Sequence, residues 1–469
     1  MSLFSALNSA TASLRTVQSQ VKVVSDNVAR SDDPSRTRHT LEQKVDRSGQ
    51  VLTAEYRREV DASLRSQVQD LTARTATYDT QNTYMQKLGD LMRTTNGTPL
   101  LNKYANAFDT AMKTLATSPE DESAQQEFLR SADTLAREVN RVSQGVEDLN
   151  REMQKDTTDS VTQLNDLLKQ VDRINKDMVS LQGYGDSANV VADKRDALVK
   201  EISELVAVRT VERQDGRLAI FTASGLSLLD AEPANLTYDG NNFVVTNEGK
   251  SMVVNDHFTD GKLSALQNMQ YDGSAKDSPS APSSDPTKEV IRKLRSQLDG
   301  YAQAFTGTTK DGEATSFADA YNNASPLKEG EQDYYFFTGT DRFSLKVNPK
   351  LMNGETKIKE SAIPVLSAAL SATGRSMSSD GLNLSNTTYS GMASSFTGVW
   401  MSTAGTASTN LAASKESRDL LEERYVNNTG VNIDEEIANL QQLQTSYSAS
   451  ARVMQVANSM FDALERIVG

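Results

Sequence analysis

The residue pattern of this 469-residue chain predicts an α+β multidomain protein, an elongated helical coiled-coil rod built from both termini with an inserted antiparallel β-rich domain. Three observations carry that expectation. At the N-terminus Leu3, Leu7, Ala10, Leu14, Val17, Val21, Val24 and Val28 step by alternating four and three. At the C-terminus Ile433, Leu440, Tyr447, Met454, Phe461 and Val468 recur every seven residues, with Ile437, Leu443, Ala451, Ala457 and Leu464 widening the seam. Between them, helix formers give way at Val208 to short β-prone runs punctuated by Asp215-Gly216, Asp239-Gly240 and Glu248-Gly249. A period near 3.5 keeps one helix face turned toward a partner helix, so each stripe asks for one. A β insert between two helical flanks implies that the flanks meet.

The elements follow in order. A first helix over 2–30 is broken at Asp33-Pro34, because proline fixes its own backbone and pushes the preceding residue out of helical space. Residues 37–60 read as extended. Helical spacing returns at Leu64, Val68 and Leu71 and reaches a turn at Asn96-Gly97. Ser118-Pro119 reads as an N-cap followed by proline at the first helical position. Phe128, Ala132, Leu135, Val139, Val142, Val146, Leu149 and Met153 then keep strict 4-3 spacing. The register slips around 156–160 and resumes at Val161, and a helix over 188–206 folds back. Closely spaced hairpin signals give strands at 208–211, 218–221, 226–229, 243–245 and 252–254. A short helix over 287–305 and strands at 334–338 and 343–347 come next. From Tyr389 the chain is helical again, with a break at 427–430. The domain boundaries expected are 1–60 with 430–469 (terminal assembly domain), 61–207 with 388–429 (helical rod) and 208–387 (inserted outer domain).

Composition narrows the function. Aromatics are 6% of residues and mean hydropathy is −0.52, favouring narrow helical seams over one broad core. The net charge of −14 argues against nucleic acid, which needs clustered Lys and Arg, and against an anionic membrane surface. The absence of cysteine excludes disulfides and thiolate metal sites. His39 and His257 are the only imidazoles, too few for a His-rich metal site, so no cofactor is expected. No transmembrane run and no cleavable secretory signal are read.

Catalytic patterns are lacking. Gly307-Thr308-Thr309-Lys310 is not a phosphate loop, and no Gly-x-Ser-x-Gly elbow occurs. The acidic runs Glu120-Asp121-Glu122 and Asp434-Glu435-Glu436 read as first-turn charges favoured by the helix dipole. His39, beside Arg36 and Arg38, reads as a surface or interface residue. Trp400 reads as a core anchor, with an interface hot spot as the sharper alternative.

Two terminal stretches carry a resemblance. Ser25 to Arg38, including Asn27, Pro34, Thr37 and Arg38, resembles the N-terminal element of flagellar rod, hook and hook-associated proteins. Val431 to Leu440, including Asp434, followed by Tyr447 to Val453, including Ala451 and Arg452, resembles the C-terminal helix of the same family. Asp193 to Val206, with Gly261 to Leu266 and Phe336 to Gly339, is similar to the hook–filament junction members. One departure is that Ser35-Arg36 replaces the family's Gly-Tyr after the proline, where an Arg has the option of an acidic partner.

The resemblance implies a non-enzymatic subunit of the flagellum, exported without a cleavable signal through the flagellar type III apparatus. The partners it implies are other copies of the chain in a ring or helical array, hook protein, and hook-associated protein 3 or filament subunits. A cytoplasmic export chaperone is expected on the C-terminal helix. The assembly interface expected is Leu3, Leu7, Leu14, Val17, Val21, Val24, Val28, Ile433, Ile437, Leu440, Tyr447, Met454, Phe461, Leu464 and Val468. Hook protein, hook-associated protein 3 and flagellin are alternative identities. A further alternative is an enzyme or glycan-binding module in the β-rich insert.

Overall fold

A computed structural model describes residues 3–33, 35–45, 51–93, 96–181, 186–247, 250–271, 283–308, 312–324 and 335–468. The chain opens with helix α1 (Leu3–Ala29), and an antiparallel hairpin of β1 (His39–Val45) and β2 (Val51–Arg58) follows, with His39 opposite Arg58. Four helices then build the rod: α2 (Ala62–Met92), α3 (Leu100–Thr117), α4 (Glu122–Ser180) and α5 (Ser187–Leu205). Helix α4 spans about 90 Å at ~1.5 Å per residue and is the spine of the molecule.

Helix α3 has no counterpart in the pattern reading, and its presence changes the role of Ser118. The Ser118 N–H bonds to the carbonyls of Thr114 and Leu115, so Ser118 ends α3 rather than starting α4. The cap of α4 is Asp121, whose carboxylate accepts the Ser123 N–H at 2.8 Å. An aspartate is the stronger cap because its charge also meets the positive end of the helix.

The slip at 156–160 leaves α4 helical and marks a change of core. Up to Met153 the apolar face of α4 belongs to a large core shared with α2, α3 and later helices. From Val161 it belongs to a second core shared with α5 and the β strands. At the crossover the buried positions are Thr157 and Ser160, and Asp156 meets Tyr84 and Lys262. The period breaks there because the helix hands its apolar stripe from one neighbour to another.

The strand-rich part is confined to Val208–Val253. Strands β3 (Val208–Glu212), β4 (Leu218–Thr222) and β5 (Ser227–Leu229) form one antiparallel meander, and β6 (Asn235–Tyr238), β7 (Phe243–Asn247) and β8 (Lys250–Val253) form another. Beyond them the insert turns helical: α6 (Lys262–Gln270), α7 (Val290–Thr306), α8 (Phe317–Ala324), α9 (Pro349–Met352) and α10 (Ile363–Ser371). Among the described residues, two short strand pairs interrupt these helices, β9 (Phe337–Thr338) with β10 (Lys346–Val347) and β11 (Arg375–Ser379) with β12 (Leu382–Thr387). The run from Phe343 is turn rather than strand up to Lys346, because the Asp341 carboxylate accepts the N–H groups of Phe343 and Ser344.

Seven of the aromatics are gathered in the larger core. Phe108, Phe128, Phe305, Phe317, Phe336, Phe337 and Tyr389 form a continuous ring cluster, with Phe108 and Phe128 stacked at 5.0 Å and Phe305 and Tyr389 at 4.4 Å. The chain leaves the insert through α11 (Tyr389–Thr429), which packs along α2, and ends in α12 (Ile433–Val468), which packs along α1. Trp400 on α11 is buried, and its indole N–H donates to Gln297 at 2.9 Å. It is a core anchor, and the hot-spot alternative does not hold.

Gly261 closes the joint between rod and insert. It sits at φ 102, and a Cβ there would lie 2.5 Å from the Leu205 carbonyl oxygen. Its N–H donates to Thr77 Oγ1 at 2.7 Å. Gly261→Ala therefore combines a left-handed backbone with a backbone clash, and a loss of about 1–3 kcal/mol is expected. Urea unfolding followed by Trp400 fluorescence measures it, and an unchanged midpoint would contradict the assignment.

Candidate functional site

The residues that carry the family motifs converge at one place, the base of the terminal helices. Asn27, at the end of α1, is fully buried and behaves like a neighbouring strand. Its Nδ2 donates to the His39 carbonyl at 2.8 Å and its Oδ1 accepts the His39 N–H at 3.2 Å. An amide side chain offers one donor and one acceptor on the same edge, which is why this position suits Asn. The same Nδ2 reaches Glu436 Oε2 at 3.2 Å.

Glu436 lies in the first turn of α12. Asn432 opens that helix, accepting the Asp434 N–H on its side chain at 3.0 Å and the Glu436 N–H on its carbonyl at 3.0 Å. Asp434 is exposed, as a simple dipole charge would be, but Glu436 is turned inward and buried. It accepts Arg38 Nε at 2.7 Å, while the Arg38 N–H donates to the Thr429 carbonyl at the end of α11, also at 2.7 Å. Arg38 thus ties the N-terminal segment to both C-terminal helices.

A second half of the cluster ties the same segment to the rod. Asp193 on α5 accepts Thr37 Oγ1 at 2.7 Å and Arg58 at 3.2 Å, and Arg36 approaches it at 3.9 Å. Arg36 is buried with its Nε unpaired, so the residue in place of the family's aromatic does take an acidic partner. Asp196, one turn on, accepts Arg58 and Arg65, each at 2.7 Å. Arg195, between these two aspartates, points the other way and donates to the Gly216 carbonyl at 2.7 Å, joining α5 to the first β meander.

His39 stands at the centre and is buried, so of its reading as a surface or interface residue the surface alternative does not hold. Its Nδ1 lies 2.7 Å from Asp186 and its Nε2 2.9 Å from Asp193. Burial alone would lower its pKa, but hydrogen bonds and charge from the two aspartates outweigh that and raise it above the ordinary value of 6.5. The Asp186 carboxyl is likewise held below its usual range, against the opposing effect of burial. Nothing in the spacing signals this arrangement, because His39 lies 147 and 154 residues from Asp186 and Asp193, which belong to the start of α5.

The expected interface residues divide between two faces. On α1, Val17 and Val24 are buried, and Leu7, Leu14, Val21 and Val28 are half-buried, with Ala10, Thr16 and Val23 joining the buried set. On α12, Leu440, Leu443 and Met454 are half-buried and Ala457 is buried. Ser450 meets Ser13 across the pair at 3.2 Å. Ile433, Ile437, Tyr447 and Phe461 are exposed. Ala451 is half-buried and Arg452 exposed. Pro34 lies outside the described residues, as do the side chains of Leu3, Leu464 and Val468.

A second apolar row on α12 was not among the expected residues. Val453, Val456 and Met460 follow 3-4 spacing on the side away from α1, with Val456 59% and Met460 51% exposed. The signal was legible as a row offset from the heptad, but the heptad drew attention away from it.

Removing the central carboxylate tests the junction. Asp193→Asn leaves Arg36, Arg58 and His39 facing a neutral amide, and breaking such a buried pair costs about 3–5 kcal/mol. Asp434→Asn, on the exposed side of α12, is expected to stay within about 0.5 kcal/mol of the parent. Denaturant unfolding of the two variants measures the contrast, and equal effects would contradict the geometry.

Comparison with known proteins identifies the family. Residues 85–318 match the family model described as the flagellar hook-associated protein FlgK helical domain. Residues 422–467 match that of the flagellar basal body rod FlgEFG protein C-terminal region. Flagellar hook-associated protein 1 of Escherichia coli (strain K12) is 24% identical, the alignment covering 99% of this chain and 100% of that protein. The protein of the same name from Bacillus subtilis (strain 168) is 22% identical over 82% of this chain and 79% of its own length. The solved flagellar hook junction protein FlgK from Burkholderia pseudomallei is 17% identical, covers 70% of this chain and 63% of that one, and has a TM-score of 0.45, too low to carry an argument. With family models matching in the rod and at the C-terminal helix, and relatives aligning end to end, the chain belongs to the flagellar hook-associated protein 1 family of axial proteins.

Proposed function

We propose that this chain is a structural, non-enzymatic subunit of the bacterial flagellum that joins hook to filament through coiled-coil packing of its terminal helices. The observation that carries this reading is the two-sided α12. One side packs on α1, and the other presents Val453, Val456 and Met460 to solvent along a helix clamped at its base. Contiguous exposed apolar surface on a well-ordered helix marks an interaction site. A helical array requires a head-to-tail interface that does not close on itself, and such a row supplies half of one.

In this reading the first partners are other copies of the chain, with hook protein on one side and hook-associated protein 3 or filament subunits on the other. A cytoplasmic export chaperone covers the apolar rows of α12 before assembly, and the chain leaves the cell through the flagellar type III apparatus without a cleavable signal. The terminal helices form the assembly domain, and the insert over 208–387 faces outward. The names of the relatives support the structural role and the flagellar location.

Charge on the exposed row separates assembly from folding. Val456→Asp and Met460→Asp are expected to leave the stability of the free chain within about 0.5 kcal/mol. Both are expected to abolish filament attachment in motile cells, with secretion scored separately. Retained attachment with both charges present would overturn the role of this row.

A further inference from the structure

The buried histidine carries an inference that goes beyond assembly. We propose that His39 is a protonation-dependent latch between the paired terminal helices and the rod: as an imidazolium it ties the start of β1 to two carboxylates of α5, and on losing its proton it lets go of one of them.

The geometry requires the charged form. A neutral imidazole has one N–H donor and one acceptor, whereas both of its partners here, Asp186 and Asp193, are carboxylates that only accept. Only the imidazolium satisfies both. When the proton leaves, one carboxylate faces a nitrogen lone pair. Asp193 keeps Thr37, Arg58 and Arg36, whereas among the described residues the Asp186 carboxylate keeps Asn189, at 3.5 Å, and the more distant positive charge of Arg36. The contact with Asp186, at the start of α5, is therefore the one that opens.

Among the described residues, the other charged groups around the imidazole are arginines and carboxylates. Around the imidazole stand Arg36 and Arg38 on its own segment, Arg58 and Glu59 at the end of the hairpin, Arg65 on α2, and Asp186, Asp193, Arg195 and Asp196 on α5. Glu435 and Glu436 face it from α12, through Arg38. Tyr425 of α11 is raised above the ordinary tyrosine value, chiefly by burial. Neither arginines nor carboxylates have their ordinary pKa in the neutral to mildly alkaline range, although burial lowers that of Arg195. The sign follows from the elevated folded value of His39. Its contribution is complete below about pH 6.5, the unfolded value, and is lost as pH rises through the folded value.

His39 is well placed to transmit the change. The next residue back, Arg38, holds Glu436 of α12 and the end of α11, and Asn27 of α1 clasps the His39 backbone. Losing the Asp186 contact leaves that unit, hairpin and terminal helices together, held on α5 through Asp193 and Asp196, which widens its range of orientations against the rod.

Because the chain has no cysteine and only two histidines, the test is direct on the full-length protein. Spin labels at Ser448→Cys on α12 and Thr158→Cys on α4, both exposed, report the distance distribution between terminal pair and rod. The His39 resonance of isotope-labelled histidine reports its protonation over the same range, from about pH 6 to about pH 9.5. The expected result is a narrow distribution that broadens with the His39 titration, the closed-to-open ratio falling by up to about tenfold per pH unit, as one proton demands.

His39→Gln, which bridges the two carboxylates at no pH, is expected to give a pH-independent distribution. If that variant does not fold, Asp186→Asn serves instead: its amide pairs with the neutral as well as the charged imidazole, so the His39 resonance is expected to titrate at lower pH while the distribution no longer broadens with it. In the parent chain, a distribution that stays unchanged while His39 titrates would overturn the latch, as would a His39 that does not titrate in the range. Broadening at the parental pH in either variant would also overturn it.

Discussion

The buried carboxylate of Asp193 is the constraint on which the relation between the two halves of the molecule rests. A charge in that position is tolerable only if cations and donors surround it. Thr37, His39, Arg58 and Arg36 do so, and all four come from the chain between α1 and α2. Once that segment is pinned to α5, Arg38 and Asn27 have fixed places, and Glu436 brings α12 to them. A network of this kind contributes little net stability after desolvation. It contributes geometry instead, since each bond is satisfied in one arrangement of the elements.

The rod and the terminal pair solve different problems. The rod is stabilised by dry cores, with α4 as a shared wall and a cluster of seven aromatic rings in the larger core. The terminal pair has only one narrow seam, in which alanine, serine and threonine (Ala10, Thr16, Ala457 and the Ser13–Ser450 contact) sit among the valines. Two helices joined by such a seam bury little apolar area and leave further apolar side chains in solvent. In a subunit meant to join others, that deficit is useful, because the missing burial is supplied by neighbours and assembly becomes the source of terminal stability.

Much of this was legible in the sequence because it is periodic. The 4-3 stripes gave α1, α4 and α12, and the slip at 156–160 gave a true discontinuity, the change of core between Met153 and Val161. Turn chemistry gave the two meanders. Where the reading fell short, the cause was long-range contact. Helix α3 lay between the Asn96-Gly97 turn and Ser118-Pro119, where no element was expected, and of the helices after Val253 in the insert α7 was expected over 287–305 while α6, α8, α9 and α10 were not. The junction was the least legible part, since its partners lie 154 residues apart for His39 and Asp193 and 398 apart for Arg38 and Glu436. Glu436 looked like one of three equivalent first-turn acids, and only its position on the inward side of α12 distinguishes it.

The central claim is that a specific buried contact, rather than general helix pairing, holds the terminal helices on the rod. A double-mutant cycle on Arg38→Met and Glu436→Met, read from amide hydrogen exchange along α12, addresses it most directly. The structure predicts a coupling energy of about 1–3 kcal/mol between the two positions, confined to the opening of the terminal pair. Effects that simply add, within about 0.3 kcal/mol, would contradict it.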